Sequence, residues 1–161
     1  MIVTIFVSLP SLALEFKVLN LCENTAAYQT DIQLENTSTV GDLSLYFLER
    51  ANLNFTGNRN GVNTLLGTVV GDEAIEIISN ERMRVYGWCY EVDGKYPEML
   101  MSEFIIEPDQ VQTITWFYGY AELIKNDWIS YCIPVHSNPH PYICEQNSLS
   151  FARMHQWEIY F

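Results

Sequence analysis

RVYGWCYEVDGKYP, residues Arg84 to Pro97, is the stretch on which the fold turns. Tyr86, Trp88, Tyr90 and Val92 fall on alternate positions, so as a strand they share one face, while Val85, Cys89 and Glu91 share the other. Asp93-Gly94 then supplies the pair that a tight primed turn needs, because both central residues take positive φ. The aromatic row has two readings. Rings on one side of a half-buried strand fill a core, or they present a rigid amphipathic surface to a planar ligand, a sugar or a protein. On the second reading Tyr86, Trp88 and Tyr90 carry the contact, with Asn58, Arg59 and Asn60 on a neighbouring loop.

Outward from this stretch, QTITWFYGY, Gln112 to Tyr120, repeats the pattern with Ile114, Trp116, Tyr118 and Tyr120 on one face. Leu14 to Asn20, Ala27 to Asn36 and Glu73 to Ser79 also read as strands. Thr39 and Asp42 form a capping box with Asp in place of Glu, ahead of Val40, Leu43, Phe47, Leu48 and Ala51 at helical spacing. The Gly- and Asn-rich segment from Asn54 to Glu73 reads as a loop, and it lacks the Lys-Ser/Thr of a phosphate-binding loop. One amphipathic helix among about five strands, without strand-helix-strand alternation, predicts an α+β domain with a mixed sheet.

The 161 residues suffice for one domain with a real core, 48% of them being apolar. A net charge of -12 opposes nucleic acid and anionic lipid as partners. MIVTIFVSLPSLA, residues 1–13, is expected to be a signal peptide, an apolar run closed by Ser11-Leu12-Ala13, although no Lys or Arg precedes it. No later run reaches the roughly 18 apolar residues of a membrane span, so no membrane insertion is expected and the compartment is periplasmic or extracellular.

In an exported chain Cys22, Cys89, Cys132 and Cys144 are disulfide candidates with three full pairings open, of which Cys132 with Cys144 closes the shortest loop. Cys132, His136, His140 and Cys144 alternatively offer two thiolates and two imidazoles to zinc, at a spacing that is not a standard finger and is interrupted by Pro134, Pro139 and Pro141. No nucleophile elbow, His-Glu-x-x-His or phosphate loop is present, so no catalytic residue is assigned and no cofactor is required. Gln156 to Phe161 reads as a closing strand with Trp157, Ile159 and Phe161 on one side.

The order of strand, strand, helix TVGDLSLYFLERAN, turn FTGNRNG, hairpin YGWCYEVDGKYP and strand EPDQVQTITWFYG resembles a small bacterial domain family related to the C-terminal β-domain of transcobalamin and intrinsic factor. Gly87, Trp88, Tyr90, Val92, Asp93 and Gly94 fill the family's hairpin pattern, with Asp93 where Asn is usual, and Ile114, Trp116 and Tyr118 fill its closing strand. Outside the resemblance, which runs from about Tyr28 to Tyr120, residues 126–161 are expected to form an irregular, cysteine-containing extension that packs on the domain of residues 14–125; the resemblance itself implies for that domain a β-grasp-like mixed sheet holding one helix. It implies a non-enzymatic binding module, either a protein-interaction or envelope component or a corrinoid-like ligand domain using the Trp88 face. The vitamin carriers add a large helical barrel for which this chain has no room.

Overall fold

The computed structural model describes residues 13–108, 113–137 and 143–144. β1 (Leu14–Leu19) and β2 (Ala26–Ile32) open the chain as an antiparallel pair. β3 (Ser38–Thr39) leads into α1 (Val40–Arg50), followed by β4 (Phe55–Asn58), β5 (Gly61–Leu65), β6 (Ile75–Ser79), β7 (Arg82–Val92), β8 (Ile105–Ile106), β9 (Thr113–Ile124) and β10 (Asp127–Pro134). The main sheet runs β2-β1-β9-β7-β6, with β10 added against β9. β7 pairs with β9 along its full length. On its other edge β9 is shared: Thr113 to Trp116 lie parallel to β1, and Gly119 to Ile124 lie antiparallel to β10. Over residues 13–137 the described elements make a mixed sheet with the one α-helix α1, the α+β class that the sequence predicts.

α1 starts where the capping box places it. The Thr39 hydroxyl accepts from the Asp42 amide at 3.1 Å, meeting one of the helix's orphan donors, and Asp42 adds a carboxylate to the first turn. Val40, Leu43, Phe47 and Leu48 are buried by the helix against the sheet. Phe47 stacks on Phe16 of β1 at 4.7 Å, and Trp116 of β9 donates its indole N–H to Ser44 Oγ at 2.9 Å, so the helix is bonded as well as packed to the sheet. At Gly41 an added Cβ would collide with the Arg59 carbonyl, which makes glycine the residue that lets the tip between β4 and β5 sit against the helix.

Asp93 and Gly94 have φ of 49° and 71°, and Val92 and Lys95 exchange both backbone hydrogen bonds at 2.9 and 3.1 Å. The primed turn forms as read, yet only a single bridge follows it rather than a second strand. Two segments differ from expectation. The Gly- and Asn-rich loop contains the hairpin β4–β5, stabilised because Val62 and Leu65 turn inward into the core. The extension is no irregular appendage over Asp127 to Pro134 but a strand of the sheet, reached through Lys125 and Asn126, both at positive φ. Without glycine, Lys125-Asn126 gives a weaker signal for a primed turn than Asp93-Gly94 does, since only Asn126 favours positive φ.

The cysteines correct the shortest-loop expectation. Cys22 bonds Cys144 and Cys89 bonds Cys132, so the pairing of Cys132 with Cys144 does not occur. Cys132 lies on a β10 segment that leaves register between Ser130 and Ile133, with φ of 51°, and this bulge carries it over the sheet to Cys89 on β7. Loop length was the wrong criterion, because strand register sets which sulfurs meet. No helix of the described residues is long and apolar enough to cross a membrane.

Candidate functional site

Strand alternation gives the sheet two faces, and they differ in kind. On the helix side, Tyr86 is paired across β7 and β9 with Tyr120, Trp88 with Tyr118, and Tyr90 with Trp116. Tyr86, Trp88 and Tyr90 are only 4, 9 and 6% exposed. Each is bonded at its polar end: Tyr86 donates to Glu76 Oε2 at 2.7 Å, Trp88 Nε1 to Thr68 Oγ1 at 2.9 Å, and Tyr90 to the Met99 carbonyl at 2.9 Å. Burial, together with the Glu76 hydrogen bond, pushes the Tyr86 phenol up from its ordinary value. Burial, with the charges of Tyr96 and Glu103, pushes Tyr90 up to about 12. The row is filling for the core.

Beyond the aromatic row the same face ends in charge. Glu122, 7% exposed, accepts from Arg82 at 2.7 and 2.9 Å and from Arg84 at 3.1 Å, and Arg84 lies 4.7 Å over the Tyr120 ring. Burial alone would raise the Glu122 carboxyl, but the two guanidiniums outweigh it and hold it below the ordinary carboxylate value.

Asn58, Arg59 and Asn60 sit at the β4–β5 tip. Arg59 binds Asp42 of the helix at 2.7 Å, and Asn58 Oδ1 accepts from the Asn60 amide at 2.8 Å. Of the ligand-binding residues named from the sequence, Asn60, Trp88 and Tyr90 come together around a cavity of about 210 Å³, shared with Cys89, Cys132, Tyr96, Met99 and Leu100. Tyr86, Asn58 and Arg59 do not line it. The zinc alternative is corrected by the disulfides, which consume Cys132 and Cys144 in separate bonds. His136 instead meets the Phe117 ring edge-on at 6.4 Å, His140 lies outside the described residues, and no cluster of three metal-binding side chains occurs among the described residues.

The face away from the helix was not singled out in the sequence. Register places Ile77 opposite Met83, Met83 opposite Leu123, Val85 opposite Ala121, Gly87 opposite Gly119, and Trp128 opposite Leu123. These residues make an apolar strip across four strands, and among the described residues it has no covering layer. Ile77 is 77% exposed, Trp128 44% and Tyr131 57%, whereas Met83, Val85, Gly87, Ala121 and Leu123 are half-buried. A groove of about 250 Å³ runs along it, with Val85, Gly87 and Ala121 in its lining beside Trp128, Tyr131 and Cys132, and no charged side chain lines it. The rings of Trp128 and Tyr131 lie 6.2 Å apart.

The Cys132 bulge divides this face. On its far side Lys17, Gln29, Glu91, Thr115 and His136 line a polar cleft of about 600 Å³, where Lys17 and Gln29 hold Glu15, each at 2.6 Å. Between the halves, Leu19, Phe117 and Cys89 pack with Cys132. The signal that could have found the strip was present but divided, since Val85 and Gly87 alternate with the rings while Ala121 and Trp128 lie more than thirty residues later. Comparison with protein-family models, with curated proteins and with solved structures gives no match.

Proposed function

We propose that the chain is an exported, non-enzymatic binding module, with a β-grasp-like sheet of the transcobalamin C-terminal kind, that engages a protein partner through the strip from Ile77 to Tyr131. The uncovered apolar strip carries this reading: a sheet face rich in Ile, Met, Val, Leu and Trp is costly to leave in water, and contiguous exposed apolar surface marks sites of association. Two disulfides suit folding in an oxidising compartment and thereby support export. An envelope or surface assembly fits this chemistry. The test is Ala121→Glu, which sets a charge in the middle of the strip on a half-buried, solvent-side position. Its predicted effect is loss of co-migration with the partner in the cell's exported fraction, with the thermal midpoint unchanged. Retained co-migration refutes the surface.

A second reading, capture of a corrinoid-like ligand, is favoured by the cavity shared by Asn60, Trp88 and Tyr90, and at about 210 Å³ it admits only one edge of such a ligand. Titration with hydroxocobalamin, with tryptophan fluorescence corrected for absorption and Trp88→Ala as control, tests it. Absence of saturable quenching removes it.

A further inference from the structure

Resting on the protein-partner reading, we infer that the occupant of the strip is a positively charged surface with an apolar centre, and not a second copy of this chain. The strip supplies the centre, since the groove at Gly87 has no charged lining and its volume of about 250 Å³ suits one large apolar side chain. Charge supplies the discrimination. The chain carries -12, and four of its cations are already committed within the fold: Lys17 to Glu15, Arg59 to Asp42, and Arg82 and Arg84 to Glu122. At the Ile77 end of the strip Glu81 stands with Arg82 and Lys125, so the acidity belongs to the chain as a whole rather than to that rim. Beyond the Cys132 bulge Glu91 lines the polar cleft together with Lys17.

Two copies brought together on this face would each bring the chain's net charge of -12, a repulsion that salt relieves. A basic partner would gain from the same charge, and salt would weaken it. The sign of the salt dependence therefore separates the two occupants.

The experiment uses the full chain and two dye-labelled peptides with one apolar centre, Lys-Lys-Val-Trp-Val-Lys-Lys and Glu-Glu-Val-Trp-Val-Glu-Glu. Binding is read by fluorescence polarisation at about 50 mM and about 500 mM NaCl. The double variant Trp128→Ala with Tyr131→Ala, at two largely exposed positions, is measured alongside, and sedimentation velocity is run at both salts. The expected result is a Kd for the lysine peptide at least about tenfold below that for the glutamate peptide at low salt, weakened by salt and lost in the double variant. Equal binding of both peptides, lost in the variant, would keep the strip as a docking surface and overturn the charged partner. Lysine-peptide binding that the variant leaves intact would overturn both. A dimer strengthened by salt and abolished in the variant would make the second copy the occupant, and an inert monomer that binds neither peptide would overturn the inference.

Discussion

Gly87 and Gly119 face each other across β7 and β9 on the side away from the helix, yet only one of them is roofed. A Cβ at Gly119 would lie 3.0 Å from the Ile133 carbonyl and 3.2 Å from the Phe117 ring, because the Cys132 bulge passes over it. A Cβ at Gly87 meets nothing within 4 Å. Gly119→Ala should therefore cost about 1–3 kcal/mol by overpacking. Gly87→Ala should be neutral or stabilise by up to about 1 kcal/mol, by reducing the freedom of the unfolded chain. Urea denaturation of the two variants checks the asymmetry, and equal costs would mean that the bulge does not cross at Gly119.

Helix and sheet are joined through Trp116 and Ser44. Ser44 is fully buried, and Ser44→Ala leaves the indole N–H of Trp116 without its acceptor. A loss of about 1–3 kcal/mol is expected in the same assay. Thr68→Val should behave alike through Trp88, whose indole donates to the Thr68 hydroxyl.

Acid should weaken the fold through Glu122. Its carboxyl is held below the ordinary value in the folded state, so the unfolded chain binds the proton more readily. The stabilisation is complete above the unfolded carboxylate value of about 4.3 and is lost as pH falls from there through the lower folded value. Glu122→Gln should flatten the pH dependence of the urea midpoint in that window, and at neutral pH it should cost about 3 kcal/mol, because Arg82 and Arg84 lose their charged partner.

At alkaline pH the tyrosines should separate. Tyr86 and Tyr90 resist ionisation because they are buried. Absorbance titration of the phenolates should show a late fraction near or above pH 12, which shrinks in Tyr90→Phe. Its contribution to stability is present below the unfolded value of about 10 and is lost as pH rises towards the folded one. Titration of every tyrosine together near the unfolded value would mean that the row is open to water.

Peptide mapping without reduction should recover Cys22 with Cys144 and Cys89 with Cys132. Cys22→Ser with Cys144→Ser, which opens the longer of the two loops, should cost about 2–5 kcal/mol.

Local chemistry made much of the fold legible. Thr39 and Asp42 mark the helix start, the alternation of Tyr86, Trp88 and Tyr90 marks a strand, and Asp93-Gly94 marks its turn. What stayed hidden depends on pairing between distant segments. β10 follows a glycine-free turn at Lys125-Asn126, the disulfides follow from how strands are ordered and bulged, and β4–β5 is held by Val62 and Leu65 reaching a core that composition alone does not place. The surface was harder still to read. Large rings draw attention, but register sends them inward, and the outward face is assembled from Gly87, Val85, Ala121 and Trp128, which become neighbours only after β7, β9 and β10 pair.

The central claim, that the face away from the helix is where this chain associates, is tested most directly by site-specific photocrosslinking in the producing cell. A benzophenone side chain is placed in turn at Tyr131 and Ile77 on the strip and at Asn60 on the β4–β5 tip. The account predicts one adduct of discrete mass through Tyr131 and Ile77, suppressed by Ala121→Glu, and none through Asn60. Adducts through Asn60 alone would contradict it and move the site to the cavity beside Trp88 and Tyr90.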